Sequence, residues 1–99
     1  MGNRIVALPS DTVVNISTDS DPVLENERTY GLQNTGQSLI FYFEAAIADP
    51  APTRDEIVAQ GNFVPPGQFT RDFRNDATTY LYMAAVHQPG RITLNEVAE

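Results

Sequence analysis

Few residues in this 99-residue chain could do chemistry. His87 is the only histidine, and cysteine and lysine are absent. A nucleophilic centre needs a base beside a nucleophile and a third group to orient the base. His87 stands between Val86 and Gln88 at a strand end, and no G-x-S-x-G or phosphate-loop motif accompanies it. The expected role of this histidine is structural. In "TDSDP", Asp19 and Asp21 precede Glu25, so carboxylates could gather on calcium. The EF-hand spacing and its glycine are missing, and a solvated loop is expected instead. "RDFRND" (71–76) alternates charge at strand spacing and reads as a salt-bridged surface. "NIS" (15–17) has the form of a glycosylation sequon but follows no secretion signal. No catalytic residue, metal site or cofactor is expected.

The charge balance narrows the partners. Six basic residues, all arginine, face thirteen acidic ones, a net charge of −7. The arginines are scattered, whereas tracking phosphates needs clustered cations, so nucleic acid is not an expected partner. No apolar run approaches the roughly 18 residues of a membrane span. "MGNRIVALPSDT" lacks the features of a signal peptide, which points to synthesis and use from the cytoplasm. One domain is the expected organisation at this length. Without disulfides or thiolate sites, stability must come from packing and association.

The elements that position these residues are mostly strands. "TVVNIST" (12–18) alternates with Val14 and Ile16 on one face. "RTYGLQN" (28–34) puts Tyr30 and Leu32 on one face. "NTGQS" (34–38) reads as a hairpin loop, with Asn34 and Gly36 suited to left-handed backbone angles. "LIFYFEA" (39–45), "QFTRDF" (68–73), "TYLYMAAV" (79–86) and "RITLNEV" (91–97) supply further strands. Turns are expected at Pro66-Gly67 and at "QPGR", the latter of type II. Thr53 and Glu56 have capping-box spacing, so a short helix is expected before Gly61. The fold class is all-β: an antiparallel sandwich or small jelly-roll-like barrel with one short helix. Residues 1–11 read as an extended arm and 12–99 as the β domain, with Pro9 restricting "RIVAL" to an edge or an arm.

One strand poses a problem of cover. "LIFYF" is apolar on both faces, as is "YLYMAA". If Ile40 and Tyr42 face the core, Leu39, Phe41 and Phe43 face away. Large aromatics bury about 150–250 Å² each, so such a row approaches the largest apolar patch of a typical monomer. Either the short helix covers it through Ile57 and Val58, or another subunit does.

The order of short motifs carries a resemblance. Arg28 is followed by Leu32-Gln33-Asn34-Thr35-Gly36 and an aromatic strand with Ile40 and Tyr42. Pro65-Pro66-Gly67, Leu81-Tyr82-Met83-Ala84-Ala85 and Gly90-Arg91-Ile92-Thr93-Leu94 come next. This series, spanning about Arg28 to Glu96, resembles small capsid-decoration proteins of tailed bacteriophages, of the cement or head-fibre-base type. "AIADPAPTRDEIVAQGNF" is longer than the family's usual link before "PPG", and no fibre-like extension follows.

The resemblance implies a structural protein of the virion exterior, made in the host cytoplasm and partnered by itself and the major capsid protein. It implies a homotrimer, for which Leu39, Phe41, Phe43, Tyr80 and Tyr82 are the candidate interface. Ile5, Val6 and Leu8 of the arm are the candidate capsid contacts. A head-completion or tail-associated β protein is the alternative within the particle. A small acidic inhibitor or DNA mimic is the alternative of another class, although its carboxylates would need rows at phosphate-like spacing.

Overall fold

The computed structural model describes residues 3–19, 24–69 and 72–97. Among them, eight strands and two short helices follow in the order β1 (Asn3–Leu8), β2 (Val13–Asn15), α1 (Ile16–Asp19), β3 (Arg28–Asn34), β4 (Ile40–Ala46), α2 (Arg54–Gln60), β5 (Asn62–Val64), β6 (Phe73–Asn75), β7 (Thr79–Ala85) and β8 (Gly90–Glu96). They form two four-stranded sheets, β1-β8-β3-β6 and β2-β7-β4-β5. Every ladder between named strands is antiparallel. The all-β sandwich expected from alternation is the fold that forms.

Alternation sets what faces inward. Tyr30 and Leu32 of β3 are buried, as are Ile92 and Leu94 of β8, and they meet Ile40, Leu81 and Met83 from the opposite sheet. Burying one such side chain fully is worth about 1.5–3 kcal/mol, so this layer dominates stability.

The N-terminal segment corrects the arm expectation. β1 is an edge strand of the first sheet, paired with β8 from Asn3 opposite Asn95 to Leu8 opposite Gly90. Val6 and Leu8 lie in the core, and neither can touch a capsid from there. Ile5, 66% exposed, points away from the core. The boundary at residue 11 therefore falls inside the sandwich unit. The cause is burial of two apolar side chains against a strand from the far end of the chain. Pro9 follows β1 directly, as an edge strand permits.

Other local expectations also shift. Within "TVVNIST", only Val13–Asn15 is strand, and Ile16–Asp19 forms a helical turn with Ile16 buried. The strand in "QFTRDF" starts later, at Phe73, and Phe69 is exposed with an isolated bridge to Gln33. Arg71 of the charged "RDFRND" run and Asp21 of "TDSDP" fall outside the described residues. Pro66-Gly67 turns as expected, with Gln68 N–H donating to Pro65 O at 3.1 Å and Gly67 at φ +82°. "QPGR" does not form the expected type II turn. There the left-handed residue is His87, φ +74°, while Gly90 opens β8. A Cβ on Gly90 would lie 2.9 Å from Ala85 Cβ, so close approach between strands is what requires glycine.

"NTGQS" is a crossing between sheets and not a hairpin, because β3 and β4 belong to different sheets. Neither Asn34 nor Gly36 is left-handed. Asn34 is wholly buried, and its Nδ2 donates to Ser38 O at 2.7 Å and Val64 O at 2.8 Å. Its backbone N–H donates to Gln68 O at 3.0 Å, and its carbonyl accepts from Gly67 N–H at 2.7 Å. Thr35 Oγ1 lies 2.9 Å from Thr93 Oγ1, and Arg91 Nη2 donates to Thr35 O at 2.8 Å. Ser38 Oγ donates towards Gln88 O and Pro89 O. The "QNTG", "PPG" and "GRITL" segments thus converge at one end of the sandwich. There the asparagine side chain replaces ladder bonds that a chain leaving one sheet for another has lost.

Candidate interaction surface

The outward face of the second sheet answers the question of cover in two parts. Pairing places Phe43 opposite Tyr82, and Phe41 between Ala84 and Phe63. α2 packs across β4 and β7 and buries Ile57 completely. Tyr82 is 5% exposed and Ala84 is fully buried, although neither belongs to the core between the sheets. Burial also raises the Tyr82 phenol pKa above its ordinary value. The helix therefore covers part of this face, and Tyr82 and Ala84 are buried within the chain itself.

The roof is built from the sequence cues that forecast it. Thr53 Oγ1 accepts Glu56 N–H at 3.2 Å, and Glu56 Oε1 accepts Thr53 N–H at 2.9 Å. Gly61 caps the other end, donating to Ile57 O at 2.8 Å. It does so with extended backbone angles, and the reason for glycine is space. A Cβ at Gly61 would run into the carbonyl oxygens of Tyr42 and Ile57. Gly61→Ala should push the helix off β4 and cost about 1–3 kcal/mol, the usual effect of overpacking. Urea unfolding checks this, and an unchanged midpoint would contradict the close approach.

Asp11 fastens the first turn of α2. Its Oδ1 accepts from Arg54 Nη2 at 2.9 Å and Nε at 3.1 Å, and from His87 N–H at 3.2 Å. The His87 hydrogen bond, followed by those of Arg54 and Ser10, holds its carboxyl below the ordinary value of 3.8. A depressed folded pKa gives stability that is present above the unfolded pKa and lost as pH falls through the folded one. The group is exposed, so the effect is small. Asp11→Asn keeps a residue tolerant of φ +53°. The stability gap between wild type and Asp11→Asn should be widest near neutrality and close in acid. Thermal melts across pH measure it, and a gap independent of pH would contradict the assignment.

Beyond the roof the face stays open. Phe63, on edge strand β5, is 62% exposed. Its ring lies 6.2 Å from the ring of half-buried Phe41, and Leu39, two residues earlier on the same face, is 38% exposed. These three residues form an aromatic ledge at the rim of the sheet. Of the expected interface, Leu39 and Phe41 lie on the ledge and Phe43 is half-buried beside the roof. Tyr82 is corrected outright: it is already buried within the single chain. Tyr80 is half-buried, its ring edge-on to Tyr82 at 6.1 Å. Phe63 was missed because "GNF" read as a link before "PPG". Its signal was a β-prone pair, Phe63-Val64, between two chain breakers, Gly61 and Pro65.

Comparison of the chain with family models, with curated proteins and with solved structures gives no match.

Proposed function

We propose that this chain is a capsid-decoration protein of a tailed bacteriophage, which self-associates through the aromatic ledge and cements neighbouring capsomers. The observation that carries the reading is the ledge itself. An acidic β-sandwich leaves Phe63 mostly exposed and Leu39 partly so, with half-buried Phe41 beside them. Contiguous exposed apolar surface rimmed by polar residues marks association sites, and aromatics are the usual energetic centres of such sites. The net charge of −7 keeps the remaining surface dispersing. The ordered motifs that resemble those of decoration proteins support the class, and a trimer is the assembly that resemblance implies. Ile5, exposed on edge strand β1, remains the candidate capsid contact from the N-terminal segment.

The partner is then the major capsid protein, and the chain's contribution is added contact area without chemistry. The test is to mix the purified protein with capsids assembled without it. The expected result is saturable binding and a rise in the temperature at which the shell opens. Capsids that neither bind the chain nor gain stability would contradict the proposal.

A further inference from the structure

Phe63 has a counterpart outside the ledge. Phe69 is 62% exposed, as Phe63 is, and the stretch between them folds over one edge of the sandwich. Phe63 sits on β5, an edge strand of the second sheet, opposite Phe41 of β4. Phe69 bridges Gln33 of β3, in the first sheet. Gln33 pairs with Thr93 of β8 on its other side, so Phe69 takes the outer edge there. Asn34 ties the two edges together: its side chain donates to Val64 O and its backbone N–H to Gln68 O. The Gln33 side chain adds a bond to Gly67 O at 3.2 Å. Alternation fixes which way each ring points. Leu32 and Asn34 are buried, so Gln33 and its bridge partner Phe69 face outward from the first sheet. Phe63 precedes buried Val64 and faces outward from the second. One edge thus carries two exposed phenylalanines on opposite faces.

This edge is also where two copies repel least. The segments that build it, 29–43 and 57–69, hold no charged residue, in a chain with thirteen acidic and six basic ones. Elsewhere a net charge of −7 opposes the approach of a second copy. A cyclic assembly larger than a dimer adds a geometric condition. Its interfaces are head to tail, so a patch on one copy meets a different patch on the next. Ledge against ledge about a twofold axis would stop at two chains. A ring needs a second apolar patch, and Phe69 lies on the far face of the same edge, where a neighbour turned about that edge presents it.

We propose that Phe69 receives the ledge: Phe63 of one copy packs against Phe69 of the next copy, with this edge turned towards the symmetry axis. The occupant of both patches is a second copy of this chain. The inference rests on the self-association proposed above and adds to it the receiving surface.

Sedimentation equilibrium of two blocked variants tests the pairing. Phe63→Asp spoils one patch and Phe69→Asp the other, and each variant alone should sediment as a single chain. Each keeps the patch that the other lacks, so an equimolar mixture should recover a mass of two chains and stop there. Both positions are mostly exposed, and thermal melts check that the variants fold. The chain has no cysteine, so Phe63→Cys and Phe69→Cys give a second measurement. Under an added oxidant, their mixture should form a disulfide between copies that neither variant forms alone. Phe69→Asp protein that assembles like the unsubstituted chain, or Phe63→Cys protein that cross-links to itself, would overturn the head-to-tail pairing and leave the ledge standing. A mixture of the two blocked variants that stays at one chain would overturn the pairing too. If the unsubstituted chain sediments as one copy, the ledge and this inference fall together.

Discussion

Asn34→Leu should destabilise this chain strongly although it puts an apolar side chain in a buried place. The variant leaves Ser38 O and Val64 O without the Nδ2 donor they now share. Each buried carbonyl that loses its partner costs about 1–3 kcal/mol, so the expected loss is about 3 kcal/mol or more. For a domain of this size that corresponds to roughly 4–8 °C in melting temperature per kcal/mol. Ser38→Ala at the same end should cost less, about 1 kcal/mol, because it removes one hydroxyl donor and leaves the Asn34 hub intact. Thermal and urea unfolding of both variants measure this. If Asn34→Leu melts within a degree or two of wild type, the polar hub does not hold the crossing together.

Phe63→Asp should have the largest effect on assembly with the least effect on the fold. Phe63 is mostly exposed, so its loss removes little from the core, and surface changes of this kind stay within about ±0.5 kcal/mol. A carboxylate beside the Phe41 ring would be desolvated in any interface centred on the ledge, a cost no partner group there offsets. The variant should melt like wild type, sediment as a single chain and fail to saturate capsids. Tyr82→Phe, at a buried position, should leave assembly unchanged. A Phe63→Asp protein that still assembles and binds capsids would remove the ledge from the account.

The sandwich was legible because alternation is a local signal: Tyr30 and Leu32, or Ile92 and Leu94, announce a buried face without knowledge of the partner strand. The capping box at Thr53 and Glu56 was legible for the same reason. What could not be read was pairing at long range. Val6 and Leu8 have the alternation of a strand, but nothing near them in sequence names β8 as the partner, so the segment passed for an arm. The sheet to which a strand belongs is equally non-local, which is why "NTGQS" looked like a hairpin while Asn34 was spanning two sheets. Leu39 and Phe41 were found because an apolar run without polar breaks needs cover on both faces. Tyr82 was assigned to the same surface because the sequence does not state that the chain already buries it. Phe63 and Asn75 owe their places to tertiary context alone: one faces out from a three-residue edge strand, the other is sealed under the 24–26 segment.

Sedimentation equilibrium on the unsubstituted protein at micromolar concentration tests the central claim most directly. The ledge, acting as a self-association surface in a trimer, requires a mass three times that of the 10.9 kDa chain, persisting in high salt because apolar contacts are not screened. A mass of one chain at every concentration and salt level would contradict it.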